Sequence, residues 1–207
     1  MGAAKFIAAQ LREPSGVFGR LVMLRLLNLL NTPMNRLALA ALRLEPRDHV
    51  LEAGFGGGDL MARMARVVTE GHITGVDLSS AAVEACAKRF GPLIAAGTID
   101  LHCANLDALP FASNTFTKVV TVNTIYFWTD PSVALGQILR VLKKDGDLVI
   151  CFNPRVVLEK SGICRHGFQL FDPEEVSTLL SASGFREVQL HYGRHRPGKY
   201  VAAAGRK

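Results

Sequence analysis

A doubly wound α/β sheet with a helical lid at its N-terminal end is the fold this sequence predicts, on three observations. Apolar runs at 48–54, 73–77, 98–103, 117–123 and 147–152 are short and nearly continuous, as expected of parallel strands buried on both faces. Helical patterns near 59–68, 80–90 and 131–143 separate them. The first run ends in the turn Gly54-Phe55-Gly56-Gly57-Gly58, and the second ends in a carboxylate, Asp77. A strand, a glycine turn, a helix and a strand tipped by an acid form the layout of a nucleoside-cofactor site.

The remaining elements follow in chain order. Residues 1–47 hold seven basic side chains against Glu13 and Glu45, a net +5 of the whole chain's +6, so the basic character is local. Pro14-Ser15-Gly16 breaks this segment, and Thr32-Pro33 reads as an N-cap followed by Pro at the first helical position, giving two or three amphipathic basic helices. The apolar run from Leu21 to Leu30 contains Arg25 and is too short to span a bilayer, and no small-residue cleavage site follows a clean apolar run. Glycines in the turn permit positive φ and remove every Cβ between backbone and ligand, while the next helix aims free N–H groups at the same place. Asp130-Pro131 and Asp172-Pro173-Glu174-Glu175 each open a helix. Segments 186–192 and 199–204 complete seven strands. With 207 residues, 49% of them hydrophobic, the chain can bury one substantial core, so residues 48–207 form a single domain behind the 1–47 extension.

Two cofactor classes are excluded at the turn. A dinucleotide fingerprint starting at Gly54 needs its third glycine where Asp59 stands, and a Walker loop needs a Gly-Lys-Ser/Thr ending that is absent. The pattern Glu52-x-Gly54-x-Gly56-x-Gly58 instead resembles the first motif of class I S-adenosylmethionine (SAM) methyltransferases of the small-molecule type. The resemblance continues through Ile73-Thr74-Gly75-Val76-Asp77, Ala104-Asn105-Leu106-Asp107-Ala108-Leu109-Pro110-Phe111, the run Gln137 to Gly146, and Ala182-Ser183-Gly184-Phe185. It implies strand order 3-2-1-4-5-7-6 with the last strand antiparallel.

The resemblance also implies roles. Glu52 serves the methionine ammonium, and Gly54, Phe55, Gly56 and Gly58 approach the methionine and ribose. Asp77 accepts the ribose hydroxyls and Leu78 packs on adenine. Asn105 replaces the family's usual Asp and can still face the adenine amino group through its carbonyl oxygen, beside Leu106. Asn123 ends the fourth strand near the methionine portion. The cofactor implied is SAM, leaving as S-adenosylhomocysteine (SAH).

The chemistry belongs after the fourth strand, at Asn123-Thr124-Ile125-Tyr126-Phe127-Trp128. The spacing Asn-x-x-Tyr is similar to the Asn-Pro-Pro-Tyr motif of amino-group methyltransferases, without its prolines; the other reading has the three aromatics packing the lid and shaping an apolar pocket. Direct displacement at the sulfonium methyl needs alignment and exclusion of water, and a general base only for a poorly acidic nucleophile. Tyr126 and His166, the latter in the 154–171 connection, are the candidates for that base.

By analogy with the family, residues 1–47 are assigned to a lid over the substrate, with Phe18, Met23 and Leu24 lining the pocket. The competing reading is an interfacial membrane helix, its arginines drawn to anionic headgroups; a lipid or quinone-like acceptor satisfies both. The leucine-rich segment lacks the clustered basic run of a nucleic-acid binder. Cys86, Cys103, Cys151 and Cys164 show no zinc spacing and read as reduced packing residues of a cytoplasmic protein. His191 and His195 lie in a strand and turn, so no metal is indicated. The reading is a methyltransferase acting on a small, apolar or lipid-like acceptor; the alternatives are a non-catalytic SAM- or partner-binding module and a peripheral-membrane phospholipid or quinone methyltransferase. Acceptor, methylated atom and oligomeric state stay open.

Overall fold

The computed structural model describes residues 24–161, 169–193 and 198–207, with the backbone alone at 24–30 and 161. Phe18, Met23, Cys164, His166 and His195 lie outside these residues, and of Leu24 only the backbone is described. The chain runs α1 (Leu24–Leu42), β1 (His49–Ala53), α2 (Asp59–Met64), β2 (His72–Asp77), α3 (Ser80–Arg89), α4 (Gly91–Ala95), β3 (Ile99–Cys103), β4 (Phe116–Val122), α5 (Pro131–Val141), β5 (Leu142–Phe152), α6 (Arg155–Ser161), α7 (Pro173–Ala182), β6 (Arg186–Tyr192) and β7 (Val201–Arg206). The seven strands lie in the order β3-β2-β1-β4-β5-β7-β6. The first five are parallel, while β7 runs antiparallel to both β5 and β6.

Because side chains alternate across a strand, the sheet carries a core on each face. On one face Leu51, Val119, Leu148 and Ile150 pack under α5 and α7; on the other Val50, Val120, Val149 and Cys151 pack under α1, α2 and α3. The helix starts follow their local chemistry. The Asp130 carboxylate accepts from Ser132 N with Pro131 in the first turn, and Asp172 and Glu175 form a reciprocal capping box. Arg140 of α5 donates to the carbonyls of Leu109 (2.9 Å) and Phe111 (2.6 Å), clamping the segment before β4. Lys118 and Arg206 flank Asp147 at 2.5 and 3.0 Å, tying β4, β5 and β7 at the end of the sheet opposite the glycine turn.

Two expectations are corrected. Thr32-Pro33 does not start a helix: α1 runs through it, with Pro33 inside. Proline costs a helical hydrogen bond, but Met34, Ala38 and Leu42 recur every four residues and are almost fully buried against the sheet, each large side chain contributing about 1.5–3 kcal/mol. Packing outweighs local preference here. Within the extension, Met34, Ala38 and Leu42 thus belong to the core, while Asn31 and Asn35 border the cleft. Cys86 and Cys151 are buried packing residues as expected, whereas Cys103 is exposed at the end of the edge strand β3.

Candidate functional site

The strand ends of β1, β2 and β4 border a cleft of about 180 Å³. Parallel pairing of β1 with both β2 and β4 brings Glu52, Asp77 and Asn123 to the same end of the sheet. That is the edge at which ligands of open α/β sheets bind.

The turn after β1 is built by positive-φ glycines: Gly54 (78°), Gly56 (51°) and Gly58 (74°). Gly57 needs no such conformation. The three differ in what limits them. A Cβ on Gly54 would sit 2.4 Å from Thr124 Cγ2, and one on Gly58 would sit 2.7 Å from the Phe90 ring and 3.0 Å from Cys86 Sγ. A Cβ on Gly56 would meet nothing within 4 Å. Gly54 and Gly58 are thus bound by packing, and Gly56 leaves open space at the cleft wall.

Asp77 reaches back across this turn. Its oxygens accept from Gly56 N (2.8 Å) and Ser79 N (2.9 Å), fixing the carboxylate between the glycine turn and the start of α3. A carboxylate oxygen can accept more than one hydrogen bond, which is the chemistry a ligand hydroxyl needs here. Asp59, at the first turn of α2, accepts from Asn35 Nδ2 (3.0 Å) and Arg63 Nε (2.8 Å). Burial works to raise its pKa; the hydrogen bonds from Arg63 and Asn35 and the guanidinium charges outweigh it and hold the carboxyl below its ordinary range.

Glu52 is different. It is 4% exposed, it lines the cleft, and its Oε2 is buried without a hydrogen-bond partner. Burial first, then the charges of Asp77 and Asp59, push its pKa well above the usual carboxylate value. A buried carboxyl oxygen without a donor is costly in isolation, so this position suits a ligand that brings a cation or donor.

At the end of β4, Asn123 adopts φ 59°. Its Nδ2 donates to Asn31 Oδ1 (2.7 Å) and contacts Met34 Sδ (3.2 Å), while its Oδ1 accepts from Tyr126 Oη (3.1 Å) and Asn153 Nδ2 (3.1 Å). Beyond it, Phe127, Trp128 and Thr129 form the outer wall, with Trp128 Nε1 donating to Thr124 Oγ1 (3.2 Å). Gln169 ties the following connection to this turn through Tyr126 O (3.0 Å) and Trp128 O (2.9 Å).

Of the residues expected at the cofactor, Glu52, Gly54, Phe55, Gly56, Asp77, Leu78, Asn105, Leu106 and Asn123 all border this cleft. Gly58 does not; it lies behind the turn against Phe90 and Cys86. Asn105 spends its Oδ1 on Asp107 N (3.1 Å), capping its own turn. Tyr126 is 3% exposed and lies outside the cleft lining, its hydroxyl held among Asn123, Asn153 O and Asn153 N, and burial pushes its pKa further up. In this geometry the Tyr126 hydroxyl is bonded to Asn123 and Asn153, outside the cleft lining. Asn31 and Asn35 were missed; two amides four apart in a leucine-rich helix are the signal that both face one side of it. Among the described residues no group of three or more His, Cys, Asp or Glu could hold a metal ion.

An orphaned buried carboxyl oxygen, an unfilled space at Gly56 and a backbone-anchored carboxylate at a strand tip fit the ammonium, the methionine–ribose bridge and the ribose diol of SAM. Residues 51–150 match the family model of the methyltransferase domain. The chain carries a methyltransferase domain of the class I SAM-dependent type. It is 25% identical over 177 residues to the uncharacterized methyltransferase YdaC of Bacillus subtilis, covering 86% of this chain and 93% of that one. It is 31% identical over 128 residues to the ubiquinone/menaquinone biosynthesis C-methyltransferase UbiE of Geotalea daltonii, covering 60% of this chain and 54% of the relative. This methyltransferase thus spans nearly the whole of the first relative and about half of the second. Its fold matches the geranyl diphosphate C-methyltransferase of Streptomyces coelicolor with a TM-score of 0.73 at 16% identity, over 96% of this chain and 87% of that one.

SAM, when bound, supplies an electrophilic methyl on a sulfonium that is already a good leaving group. The chain's residues supply placement. Asp77 and the turn would hold the nucleoside and Glu52 the methionine ammonium, while the Asn123–Asn31 pair joins β4 to α1 at the cleft.

Proposed function

We propose that this methyltransferase acts on a small, apolar or lipid-like acceptor held in the outer half of the cleft, between α1 and the turn after β4. The observation that carries the reading is the composition of that half. Phe127 and Trp128 form an aromatic wall, and opposite them Asn31 and Asn35 offer neutral amides rather than charge. A charged acceptor gains nothing from such a surface, whereas an apolar ring or chain with one oxygen gains burial and a hydrogen bond.

The described cleft lining also contains no His, Lys or Tyr, and its titratable groups are Glu52, Asp59, Asp77 and Asp107. Asp59 is committed to Arg63 and Asn35, and Glu52 and Asp77 are committed to the cofactor. This favours a nucleophile that loses its proton readily, a phenolic or quinol oxygen or the ring carbon beside one, over an amine or alcohol that needs a base. The relative named for ubiquinone/menaquinone biosynthesis C-methylation supports an apolar acceptor.

The test is methyl transfer from isotopically labelled SAM to matched panels of phenolic or quinol lipids and of water-soluble amines, with products separated by solvent extraction. Label in the organic phase, reduced by Phe127→Ala with SAH affinity unchanged, is expected. Label passing only to water-soluble amines would overturn the reading.

A further inference from the structure

Of the four carboxyl groups that line the cleft, Glu52, Asp59 and Asp77 act on one another, and they are not equivalent. Asp77 has a backbone N–H on each oxygen, and Asp59 has an amide and a guanidinium. Glu52 is the most enclosed of the three, with Oε2 partnerless and the other two acids facing it. The charges around it are Asp77 from the end of β2, Asp59 from the start of α2 and the Arg89 guanidinium from the end of α3, with the Cys86 thiol of α3 as a further titratable neighbour. Arg89 is turned to the carbonyl of Gly57 and lies 5.1 Å over the Phe90 ring, so it forms no ion pair with Glu52. Among the described residues, a negative charge on Glu52 has no ion-pair partner, and a ligand cation would supply one.

We propose that the methionine end of the cofactor binds by proton exchange. Glu52 waits as a neutral carboxylic acid, its O–H bond breaks as the ligand's ammonium arrives, the proton leaves to solvent, and the resulting carboxylate becomes the buried partner of that cation. The proposal rests on SAM being the cofactor, and goes beyond it in making cofactor affinity depend on pH through one side chain. Ammonium and carboxylate then neutralise one another in a place where neither charge alone is well tolerated. The elevation of the Glu52 pKa by burial and by its two acidic neighbours is in the direction this requires.

Linkage fixes the consequence. While Glu52 is protonated in the free protein and the ligand amine is charged, release of one proton on binding tightens affinity about tenfold per unit rise in pH. The dependence levels off once Glu52 is ionised in the free protein as well.

The experiment is titration calorimetry of the full-length protein with SAH at about pH 6.5, in buffers of different ionisation enthalpy, so that the slope of observed heat against that enthalpy counts protons. 5′-Methylthioadenosine, which keeps the nucleoside and thioether but lacks the amino-acid end, is the control ligand. Expected are a proton release approaching one per SAH, no release with methylthioadenosine, and no release with SAH in Glu52→Gln, a variant whose unchanged methylthioadenosine binding reports an intact cleft. SAH binding without proton release in wild type, equal release with both ligands, or release that survives in Glu52→Gln would each overturn the proposal. Loss of binding by both ligands in wild type would instead remove the cofactor assignment beneath it.

Discussion

Asp77→Asn is the substitution whose cost can be worked out most directly. Both Asp77 oxygens accept from backbone N–H groups, Gly56 N at 2.8 Å and Ser79 N at 2.9 Å. An asparagine has the same shape but only one acceptor oxygen, so whichever way its amide turns, an NH₂ faces one of those N–H groups. One hydrogen bond is lost and a donor is left facing a donor, a cost of about 1–3 kcal/mol. For a chain of this size each kcal/mol corresponds to roughly 2–4 °C in Tm, so the free protein should melt about 2–12 °C lower. The ligand pays separately, because its ribose hydroxyl exchanges a charged acceptor for a neutral one, about 1.5–3 kcal/mol or roughly ten- to 150-fold in Kd. Thermal denaturation with and without SAH, together with calorimetry, reads both effects. If Asp77→Asn keeps the wild-type Tm and binds SAH within a factor of two, then Asp77 neither braces the turn nor holds the ribose.

Three further outcomes are expected. Gly56→Ala and Gly58→Ala should separate binding from stability: the first costs about 1–2 kcal/mol for its φ and loses SAH affinity, whereas the second adds the clash with Phe90 and Cys86 and costs roughly 2–5 kcal/mol in chemical denaturation. Tyr126→Phe leaves Asn123 and Asn153 short of a partner and should cost about 1–3 kcal/mol while the pH–rate profile keeps its shape; loss of a basic limb would restore Tyr126 as a general base. In the ligand-free protein Glu52 binds its proton more tightly folded than unfolded, so stability falls as pH rises from the ordinary carboxylate range toward its raised value. Denaturation at about pH 5 and 8 should show that fall in wild type and a flatter response in Glu52→Gln, and parallel curves would refute it.

The donor half of the site was legible because its chemistry is local. Glycines that need positive φ, a strand-tip acid and the carboxylate before the turn lie within 26 residues, from Glu52 to Asp77, and each is required by backbone geometry or by charge. The side of the cleft between α1 and the end of β4 is assembled from residues distant in sequence. Asn31 and Asn123 meet at 2.7 Å across 92 positions, and Asn153 joins them from the end of β5. Tyr126 looked reactive in sequence because an aromatic hydroxyl after the fourth strand points at the chemistry; only the tertiary packing shows its oxygen buried beneath Asn123. The helix through Thr32-Pro33 was misread for the same reason, since the apolar repeat at Met34, Ala38 and Leu42 outweighs a local proline only when there is a sheet to bury it.

The double use of α1 has a consequence for how such an enzyme can diversify. One side of the helix is fixed by the sheet beneath it, while on the cleft side Asn35 bonds Asp59 just after the glycine turn and Asn31 accepts from Asn123 at the end of β4. On the proposed function, drift at Asn31 would retune what is methylated while the methyl donor stays the same. A gene encoding this chain could then acquire a new product through a single codon.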